Sequence, residues 1–209
     1  MSVMTRELVV KFVNNAAAIM AENKDYLIEL DAFCGDGDLG LTMSKGFAEA
    51  ARIANESEEA DLGKLFLAIS KGIANIVPST MGTLMASGFM KAAKAMKGKT
   101  EMTTDDLAVF CESYYAGLQE RGKANPGERT ILDSLKPAAD AARAAADAGE
   151  DLAGIANKAY EAALQGVEAT KDMAPVYGKA VVHRAKLVGI ADQGAIVGSL
   201  FYKAMTQTF

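Results

Sequence analysis

Apolar residues recur at helical spacing in nearly every long segment of the chain, and this pattern constrains the fold more than any other feature. Between residues 62 and 76, for example, Leu65, Ile69 and Ile73 lie four positions apart, as the buried face of a helix requires. Stretches that contain Gly, Pro or Asp separate the periodic segments. The pattern predicts helices over residues 5–23, 43–55, 62–76, 82–96, 104–120, 131–148, 152–170 and 194–207.

Strand signals are weak by comparison. The chain has no Trp, only 7% aromatic residues and many Ala, Met, Leu, Lys and Glu residues, a mixture that favours helices over strands. Its only β-like fragments are Val181-Val182 and Leu187-Val188. The sequence therefore predicts an all-α protein of about eight helices.

Size and charge limit the classes of function. The 209 residues, half of them apolar, fit one domain, residues 1–209, with a sizeable core. A net charge of −5 argues against a nucleic-acid partner, which requires a basic face. No apolar run approaches the roughly 20 residues that span a bilayer, and Met1–Lys11 has no signal-peptide core. We therefore expect no membrane association. Cys34 and Cys111 are far apart, with no C-x-x-C motif, so we also expect reduced thiols and a cytoplasmic location.

Glycines and acidic residues collect in the loops between the predicted helices, and the first of these loops, residues 31–42, is the most informative. Asp31, Asp36 and Asp38 lie within eight residues, and three glycines surround them. Carboxylates packed this closely repel one another unless a divalent cation lies between them, and glycines let the backbone turn tightly enough to bring them together. Hard oxygen ligands suit Mg²⁺ or Ca²⁺, so the loop predicts a metal site that bridges to phosphate.

Other interpretations of this loop fit less well. Residues 35–40 match the dinucleotide fingerprint G-x-G-x-x-G, but Asp36 and Asp38 would repel a phosphate that had no metal beside it. A P-loop would need lysine where Leu41 stands, and an EF-hand that starts at Asp36 would need a carboxylate where Gly40 stands. A plain Asp/Gly turn that caps the next helix is the remaining alternative.

Two further loops carry groups that suit anions. Ser79 and Thr80 precede a predicted helix, where N–H groups and hydroxyls can receive phosphate oxygens, although an ordinary capped helix start uses the same residues. Residues 121–130 hold three cationic side chains, which fit either a nucleotide or a solvated turn. Asp133 then either complements a helix dipole or supports the ligand-binding residues.

His183 is the only histidine, and the spacing suggests no Ser-His-Asp or Cys-His set.

Taken together, these loops resemble those of the L subunit, the nucleotide-binding module, of bacterial dihydroxyacetone kinases. The resemblance spans nearly the whole chain. Membership of this family would imply an eight-helix antiparallel up-and-down barrel, or bundle, with the nucleotide site at one end. The anchors are Asp31-x-x-x-x-Asp36-x-Asp38-x-Gly40, Gly82 with Leu84, Arg121-Gly-Lys-Ala-x-Pro-Gly-x-x-Thr130 with Asp133, Gly178-Lys-Ala180, and Gly189-x-x-Asp192-x-Gly-Ala195.

The resemblance also implies the ligands and the residues that bind them. It implies two Mg²⁺ ions on Asp31, Asp36 and Asp38, with ADP or ATP as the nucleotide and no catalytic residue on this chain beyond the metal ligands. The family usually has histidine at the position of Leu39 and serine at that of Met81. The implied nucleotide-binding positions are Leu39, Gly40, Leu41, Thr42, Ser79, Thr80, Met81, Gly82, Gly122, Thr130, Ile131, Lys179, Asp192, Gln193 and Gly194.

The family also implies partners. Its acceptor, dihydroxyacetone or a related small ketose, is held through a histidine on a separate K subunit. Either ATP is a free phosphoryl donor, or ADP stays bound and is rephosphorylated by the M subunit of a phosphotransferase system. A chain of this length resembles the second arrangement, which we expect here. The alternatives are an ATP-dependent kinase subunit for another small ketose and a non-catalytic nucleotide-sensing paralogue that docks on a partner such as a transcriptional regulator.

Overall fold

The computed structural model describes residues 3–209, except for the side chains of Cys34, His183, Ala185 and Lys186. The predictions for the Cys34 thiol and the His183 side chain therefore concern groups that the structure does not describe. Two short strands, β1 (Met4–Thr5) and β2 (Glu101–Met102), pair antiparallel, and 3-10 helices cover Thr170–Asp172 and Lys179–Lys186. The α-helices of the described part are α1 (Arg6–Glu22), α2 (Lys24–Cys34), α3 (Leu39–Glu56), α4 (Leu62–Ile76), α5 (Thr80–Ala95), α6 (Thr104–Gly122), α7 (Leu132–Asp147), α8 (Leu152–Ala169) and α9 (Gln193–Thr206).

Polar residues fix the starts of several helices. Thr103 begins α6 with a capping box: its hydroxyl accepts the N–H of Asp106 at 3.2 Å, and the Asp106 carboxylate accepts the N–H of Thr103 at 3.0 Å. Asp61 and Asp151 each accept a backbone N–H at the starts of α4 and α8. Because the connections between α3 and α9 are mostly short, successive helices fold back on one another.

Eight of the described helices form a closed ring. From α3 to α9, each helix packs against the next in sequence, and α1 packs against both α3 and α9. Neighbouring helices run antiparallel, as Arg6 at the start of α1 illustrates by donating to the carbonyl of Glu59 just beyond α3 at 3.1 Å. α2 packs mainly on α3 and is not a member of the ring. The predicted all-α barrel of eight antiparallel helices is confirmed.

Aromatic rings from different helices meet in the barrel interior. Phe12 of α1 lies edge-on to Phe201 of α9, with 5.1 Å between the ring centroids. Tyr114 of α6 stacks on Phe201 at 4.4 Å, and Phe89 of α5 meets Tyr114 edge-on at 5.1 Å. All four side chains are buried. These ring pairs add defined geometry to the hydrophobic gain, so the core holds the helix ends in fixed positions.

The sequence predicted most of the helices, but it missed α2. The apolar side chains of this helix are divided between buried Leu27 and exposed Tyr26 and Phe33, which obscures the helical period. The β-like fragment at Val181-Val182, which was too weak to predict a strand, lies in a 3-10 helix, where Val182 is 81% exposed.

Cys111 is a free thiol buried within α6, and burial raises its pKa to about 12. Among the residues that the structure describes, no helix combines the length and the hydropathy needed to cross a bilayer.

Candidate functional site

One end of the barrel holds a cavity of about 530 Å³. Because neighbouring helices alternate in direction, α3, α5, α7 and α9 all begin at this end. The residues that precede their first turns, Asp38, Ser79, Ile131 and Asp192, line the cavity. Helix N-termini present unpaired N–H groups and the positive end of the helix dipole, so this end of the barrel favours an anionic ligand.

Asp31, Asp36 and Asp38 come together in the wall of this cavity. Each offers a carboxylate oxygen, and the three oxygens lie within 4.8 Å of one another. Asp31 is buried in the last turn of α2, and its Oδ2 accepts the backbone N–H of Asp38 at 3.1 Å and that of Leu39 at 3.4 Å. The buried carboxylate thereby holds the loop that carries the other two. The structure thus brings together the three aspartates singled out in the sequence.

This aspartate cluster is short of positive charge. Burial raises the pKa of Asp38, and the negative charges of Asp36 and Asp31 raise it further. A hydrogen bond from Lys179 instead lowers the pKa of Asp36, and the two side chains form an ion pair. One lysine therefore faces three carboxylates, an imbalance that a divalent cation would correct.

Replacing Lys179 with Met is expected to raise the affinity of the nucleotide-free protein for a divalent cation about two- to fivefold, because Asp36 then has no competing ammonium group. Titration with Mn²⁺, followed by electron paramagnetic resonance, measures this affinity. Lys45→Met removes the same charge from the exposed surface of α3 and is the matched control. Equal or weaker Mn²⁺ binding by the Lys179 variant would contradict the prediction.

The loop before α5 is both a helix cap and part of the cavity wall. The Ser79 hydroxyl accepts the N–H of Gly82 at 3.0 Å, and the Thr83 hydroxyl donates to the Ser79 carbonyl at 2.8 Å. Ser79, Thr80 and Met81 all line the cavity. The ordinary capped helix start is therefore present, and it leaves the same residues facing the cavity.

Asp133 shapes the loop before α7. Its carboxylate accepts the backbone N–H of Thr130 at 2.7 Å and that of Gly127. Thr130 and Ile131 line the cavity, whereas Asp133 is buried behind them. Of its two predicted roles, the structure favours support of the residues that line the cavity.

Asp192 is a buried acid at the start of α9. Its Oδ2 accepts the N–H of Ala195 at 2.8 Å, and its own N–H donates to Thr170 Oγ1 at 2.8 Å. Burial raises the pKa of Asp192 to about 6, although the hydrogen bond from Ala195 acts in the opposite direction. The next residue, Gln193, donates its side-chain amide to Asp31 at 3.4 Å and so links α9 to the aspartate cluster.

Asp192→Asn is expected to stabilise the protein at pH 7.5 by up to about 3 kcal/mol, because it removes a buried charge. The folded-state pKa of about 6 lies above the ordinary value of 3.8, so this carboxyl group stabilises the fold below about pH 4 and that contribution is lost as the pH rises through 6. Urea unfolding at about pH 4, 6 and 7.5 measures the effect. Asp151→Asn, at the exposed N-cap of α8, is the matched control. A stability difference that is the same at all three pH values would contradict the prediction.

Ten of the 15 residues implied as nucleotide-binding line the cavity, and they come from all four helix starts and from the segment before α9. The ten that line it are Leu39, Ser79, Thr80, Met81, Thr130, Ile131, Lys179, Asp192, Gln193 and Gly194. The five outside the lining are Gly40, Leu41, Thr42, Gly82 and Gly122.

Two polar side chains of the lining are not among the implied nucleotide-binding positions. Arg129 is one of the three cationic side chains of residues 121–130, and of these three it is the one that lines the cavity. Tyr177 has no comparable signal in the sequence; it lines the cavity, and its hydroxyl donates to the carbonyl of Lys123, which is distant in sequence, at 3.1 Å.

Comparison with known proteins identifies the family. A family profile described as the DAK2 domain matches residues 33–207. The chain belongs to the DAK2 domain family. The predicted resemblance to the L subunits of dihydroxyacetone kinases is thereby confirmed, since such subunits are among its most similar DAK2 relatives.

Curated DAK2 relatives include both separate subunits and longer proteins. A Listeria innocua protein named "PEP-dependent dihydroxyacetone kinase 1, ADP-binding subunit DhaL" is 30% identical over 97% of this chain and 96% of its own length. The Escherichia coli protein named "PEP-dependent dihydroxyacetone kinase, ADP-binding subunit DhaL" is 24% identical over 92% of this chain and 91% of its own length. Human "Triokinase/FMN cyclase" is 30% identical over 88% of this chain but only 32% of its own length.

Solved structures share the fold of this DAK2 chain. The dihydroxyacetone kinase of C. freundii in its native form matches with a TM-score of 0.76 and 24% identity, over 97% of this chain and 34% of that one. The same enzyme in complex with AMP-PNP and Mg²⁺ matches with a TM-score of 0.77 and 23% identity, over 100% of this chain and 35% of that one. This chain therefore corresponds to about a third of the C. freundii protein, and the likeness establishes the helical barrel.

Proposed function

We propose that this chain is the nucleotide-binding phosphotransfer subunit of a dihydroxyacetone kinase, with residues 1–209 acting as one cytoplasmic domain. It binds ADP or ATP with two Mg²⁺ ions and passes a phosphoryl group to dihydroxyacetone, or a related small ketose, held on a separate K-type subunit. The bound nucleotide receives its phosphoryl group from an M-type protein of a phosphotransferase system. A transcriptional regulator is a further docking partner in this proposal.

The aspartate cluster beside four helix N-termini carries the proposal. Four aspartates but only two cationic side chains line the cavity, so its side chains have a net charge of −2 at neutral pH. A nucleoside diphosphate or triphosphate adds more negative charge, which the helix dipoles offset only in part. Two divalent cations would offset most of this negative charge, which supports the proposed count of two Mg²⁺ ions.

The donor atoms of the cluster fit Mg²⁺. Carboxylate oxygens are hard ligands, and protein-bound Mg²⁺ typically combines a few carboxylates with waters and substrate phosphates. When bound, the metal neutralises phosphate charge and orients the γ-phosphoryl group for in-line transfer. Asp31, Asp36 and Asp38 would hold it, and the N–H groups at the starts of α3, α5 and α9 would receive phosphate oxygens.

The remaining cavity wall suits the rest of a nucleotide. Leu39, Met81 and Ile131 supply apolar surface, which we assign to the base and the ribose. We assign the ammonium group of Lys179 to a phosphate oxygen once a metal takes over its contact with Asp36. No further catalytic group is needed on this chain, because positioning and charge stabilisation supply most of the catalysis in phosphoryl transfer.

The names of the relatives support the partners. Two separate chains of similar length are named ADP-binding subunits of PEP-dependent dihydroxyacetone kinases. A kinase that depends on phosphoenolpyruvate needs a protein that delivers the phosphoryl group to the nucleotide, and a subunit that binds only the nucleotide needs another that binds the acceptor. These two needs correspond to the M-type and K-type partners.

Native mass spectrometry of the purified protein tests the nucleotide and the metal. We expect the protein to carry one ADP and two Mg²⁺ ions through purification and to lose both when EDTA is added. A protein that neither retains ADP nor binds added Mg-ADP or Mg-ATP would contradict the proposal at its first step.

Reconstitution tests the transfer. The chain is combined with the K-type and M-type proteins of its own organism, phosphoenolpyruvate and dihydroxyacetone, and formation of dihydroxyacetone phosphate is followed. Omission of this chain, of the K-type protein or of the M-type protein should each abolish product. Product formed with ATP in the absence of the M-type protein would instead favour an ATP-dependent kinase subunit.

That ATP-dependent mode is the second candidate function. Its other acceptor, a different small ketose, is supported by the 32% identity to a Solanum lycopersicum protein named "Putative 3,4-dihydroxy-2-butanone kinase". A non-catalytic nucleotide sensor is less well supported, because a module that only docks on a partner has no need of three clustered carboxylates.

A further inference from the structure

Arg129 is the one lysine or arginine that is buried among the residues whose side chains the structure describes. Its side chain is 3% exposed and lies in the cavity wall. Its backbone has a φ of +60°, in the left-handed region that non-glycine residues adopt at a cost in free energy. A strained backbone and a buried charge at one position require compensating contacts, which the guanidinium group supplies.

The guanidinium group joins two points that are distant in sequence. Its Nε donates to the carbonyl of Thr170 at 3.3 Å, at the end of α8, and its Nη2 donates to the carbonyl of Ile190 at 2.9 Å, just before α9. These carbonyls mark the two ends of residues 171–189, here called the cavity segment. The N–H of Gly189 also donates to the carbonyl of Lys171 at 3.0 Å, so the base of the segment is closed.

The cavity segment carries functional residues to the aspartate cluster. Gly178, Lys179 and Ala180 line the cavity, and Lys179 pairs with Asp36.

Between its ends the segment has only short 3-10 helices, and two hydrogen bonds join it to the loop between α6 and α7. The N–H of Val176 donates to the carbonyl of Glu128 at 3.3 Å, and the Tyr177 hydroxyl donates to the carbonyl of Lys123 at 3.1 Å. The contacts at its two ends close the base of the segment and so contribute, with these bonds, to the position of Lys179.

No carboxylate forms an ion pair with Arg129 among the described residues, and its Nη1 is buried with no hydrogen-bond partner. Its charge acts on the buried acid Asp192, whose pKa burial raises and Arg129 lowers, without a direct ion pair. An arginine kept for its charge alone would pair directly with a carboxylate. The two carbonyl contacts are instead its specific interactions, and both involve the ends of the cavity segment.

We propose that Arg129 is a positioning residue for nucleotide binding: it clamps the two ends of the cavity segment and so holds Lys179 at the aspartate cluster. The inference rests on the proposed nucleotide-binding function. Loss of the clamp leaves the segment open for part of the time, and the apparent nucleotide affinity then falls in proportion to the closed fraction. Lysine cannot replace this arginine, because it presents all its donors from one nitrogen and lacks the separated Nε and Nη2 of the guanidinium fork.

The test compares Arg129→Lys and Arg129→Ala with Arg143→Lys and Arg143→Ala. Arg143 is a suitable control because it pairs with Glu112 and Asp105 on the outside of the barrel, away from the cavity. Hydrogen–deuterium exchange is measured over the cavity segment and over α4–α6 in the nucleotide-free proteins. Calorimetry gives the Kd for Mg-ADP, with and without added methylguanidinium, which can fill the space left in the alanine variant.

We expect both Arg129 variants to exchange faster in the cavity segment than the wild type, with α4–α6 unchanged, and to bind Mg-ADP at least about tenfold more weakly. Methylguanidinium should restore part of the affinity of Arg129→Ala and have no effect on Arg143→Ala. Wild-type exchange in the segment of Arg129→Lys would overturn the clamp, as would faster exchange with an unchanged Kd.

The exchange measurement separates this inference from the proposed function. A wild-type protein that does not bind Mg-ADP would overturn the function, whereas the exchange rates of the nucleotide-free variants would still decide whether Arg129 closes the segment. Arg129→Lys keeps the charge and most of the volume, so it remains informative where the alanine variant does not fold.

Discussion

Asp36→Ala is expected to weaken Mg-ADP binding by at least about 100-fold, since loss of even an outer partner of a metal ligand typically costs 10- to 100-fold in metal affinity. The variant removes one of three carboxylates that lie within 4.8 Å of one another. It also removes the ion-pair partner of Lys179, but the freed ammonium group cannot replace the lost metal ligand. Helix content should stay near that of the wild type, because Asp36 is exposed in the loop between α2 and α3. Calorimetry with Mg-ADP and far-ultraviolet circular dichroism measure the two effects.

Asp25→Ala is the matched control for this variant. Asp25 is also an exposed aspartate, in the first turn of α2, but it forms an ion pair with the neighbouring Lys24 and lies outside the cavity lining. Its affinity for Mg-ADP should equal that of the wild type. Asp38→Asn should behave as Asp36→Ala does, because it replaces a charged oxygen ligand by a neutral one. Wild-type affinity in Asp36→Ala would remove the metal role from the cluster.

The ring of helices was predictable because each helix is encoded by residues that are close together in the sequence. Each ring helix has its own apolar period, and helix caps such as Thr103 are recognisable from adjacent residues. The aspartate cluster was predictable for the same reason, since its members lie within eight residues and glycines let the loop turn. Patterns contained in one segment survive folding largely unchanged.

The resemblance supplied further positions of the site, such as Lys179 and Asp192, but the contacts that these residues make could not be predicted because they depend on closure of the ring. Lys179 meets Asp36 only after α9 has packed beside α1, and Arg129 meets Thr170 and Ile190 only after α7 and α8 have aligned. No local pattern encodes a contact between residues so far apart in sequence. α2 was missed for a different reason, since its amphipathic pattern is short and two of its large apolar residues, Tyr26 and Phe33, are exposed.

Gly40 shows how a residue predicted to touch the nucleotide takes another position. It lies in the first turn of α3, outside the cavity lining, and faces the backbone at the start of α2. A methyl group at this position would collide with the carbonyl oxygen of Lys24 and come within 2.9 Å of the Ile28 side chain. The absence of a side chain lets α2 lie close to α3, and α2 in turn carries Asp31.

Gly40→Ala is therefore expected to destabilise the fold by about 1–3 kcal/mol, the usual cost of overpacking, and to displace Asp31 from the cluster. A carbonyl oxygen cannot rotate away as a side chain can, so α2 as a whole must shift, and a displacement of about 1 Å in a ligand can slow transfer about 100-fold. Urea unfolding and the reconstituted transfer assay measure the two effects. Gly46→Ala on the same helix is the control, because its methyl group would meet side-chain methyl groups of Val77 at 3.2 Å and Ile73 at 3.6 Å rather than backbone, and alanine favours the helix by about 1 kcal/mol. If Gly40→Ala were as stable and active as Gly46→Ala, the close contact between α2 and α3 would not be what positions Asp31.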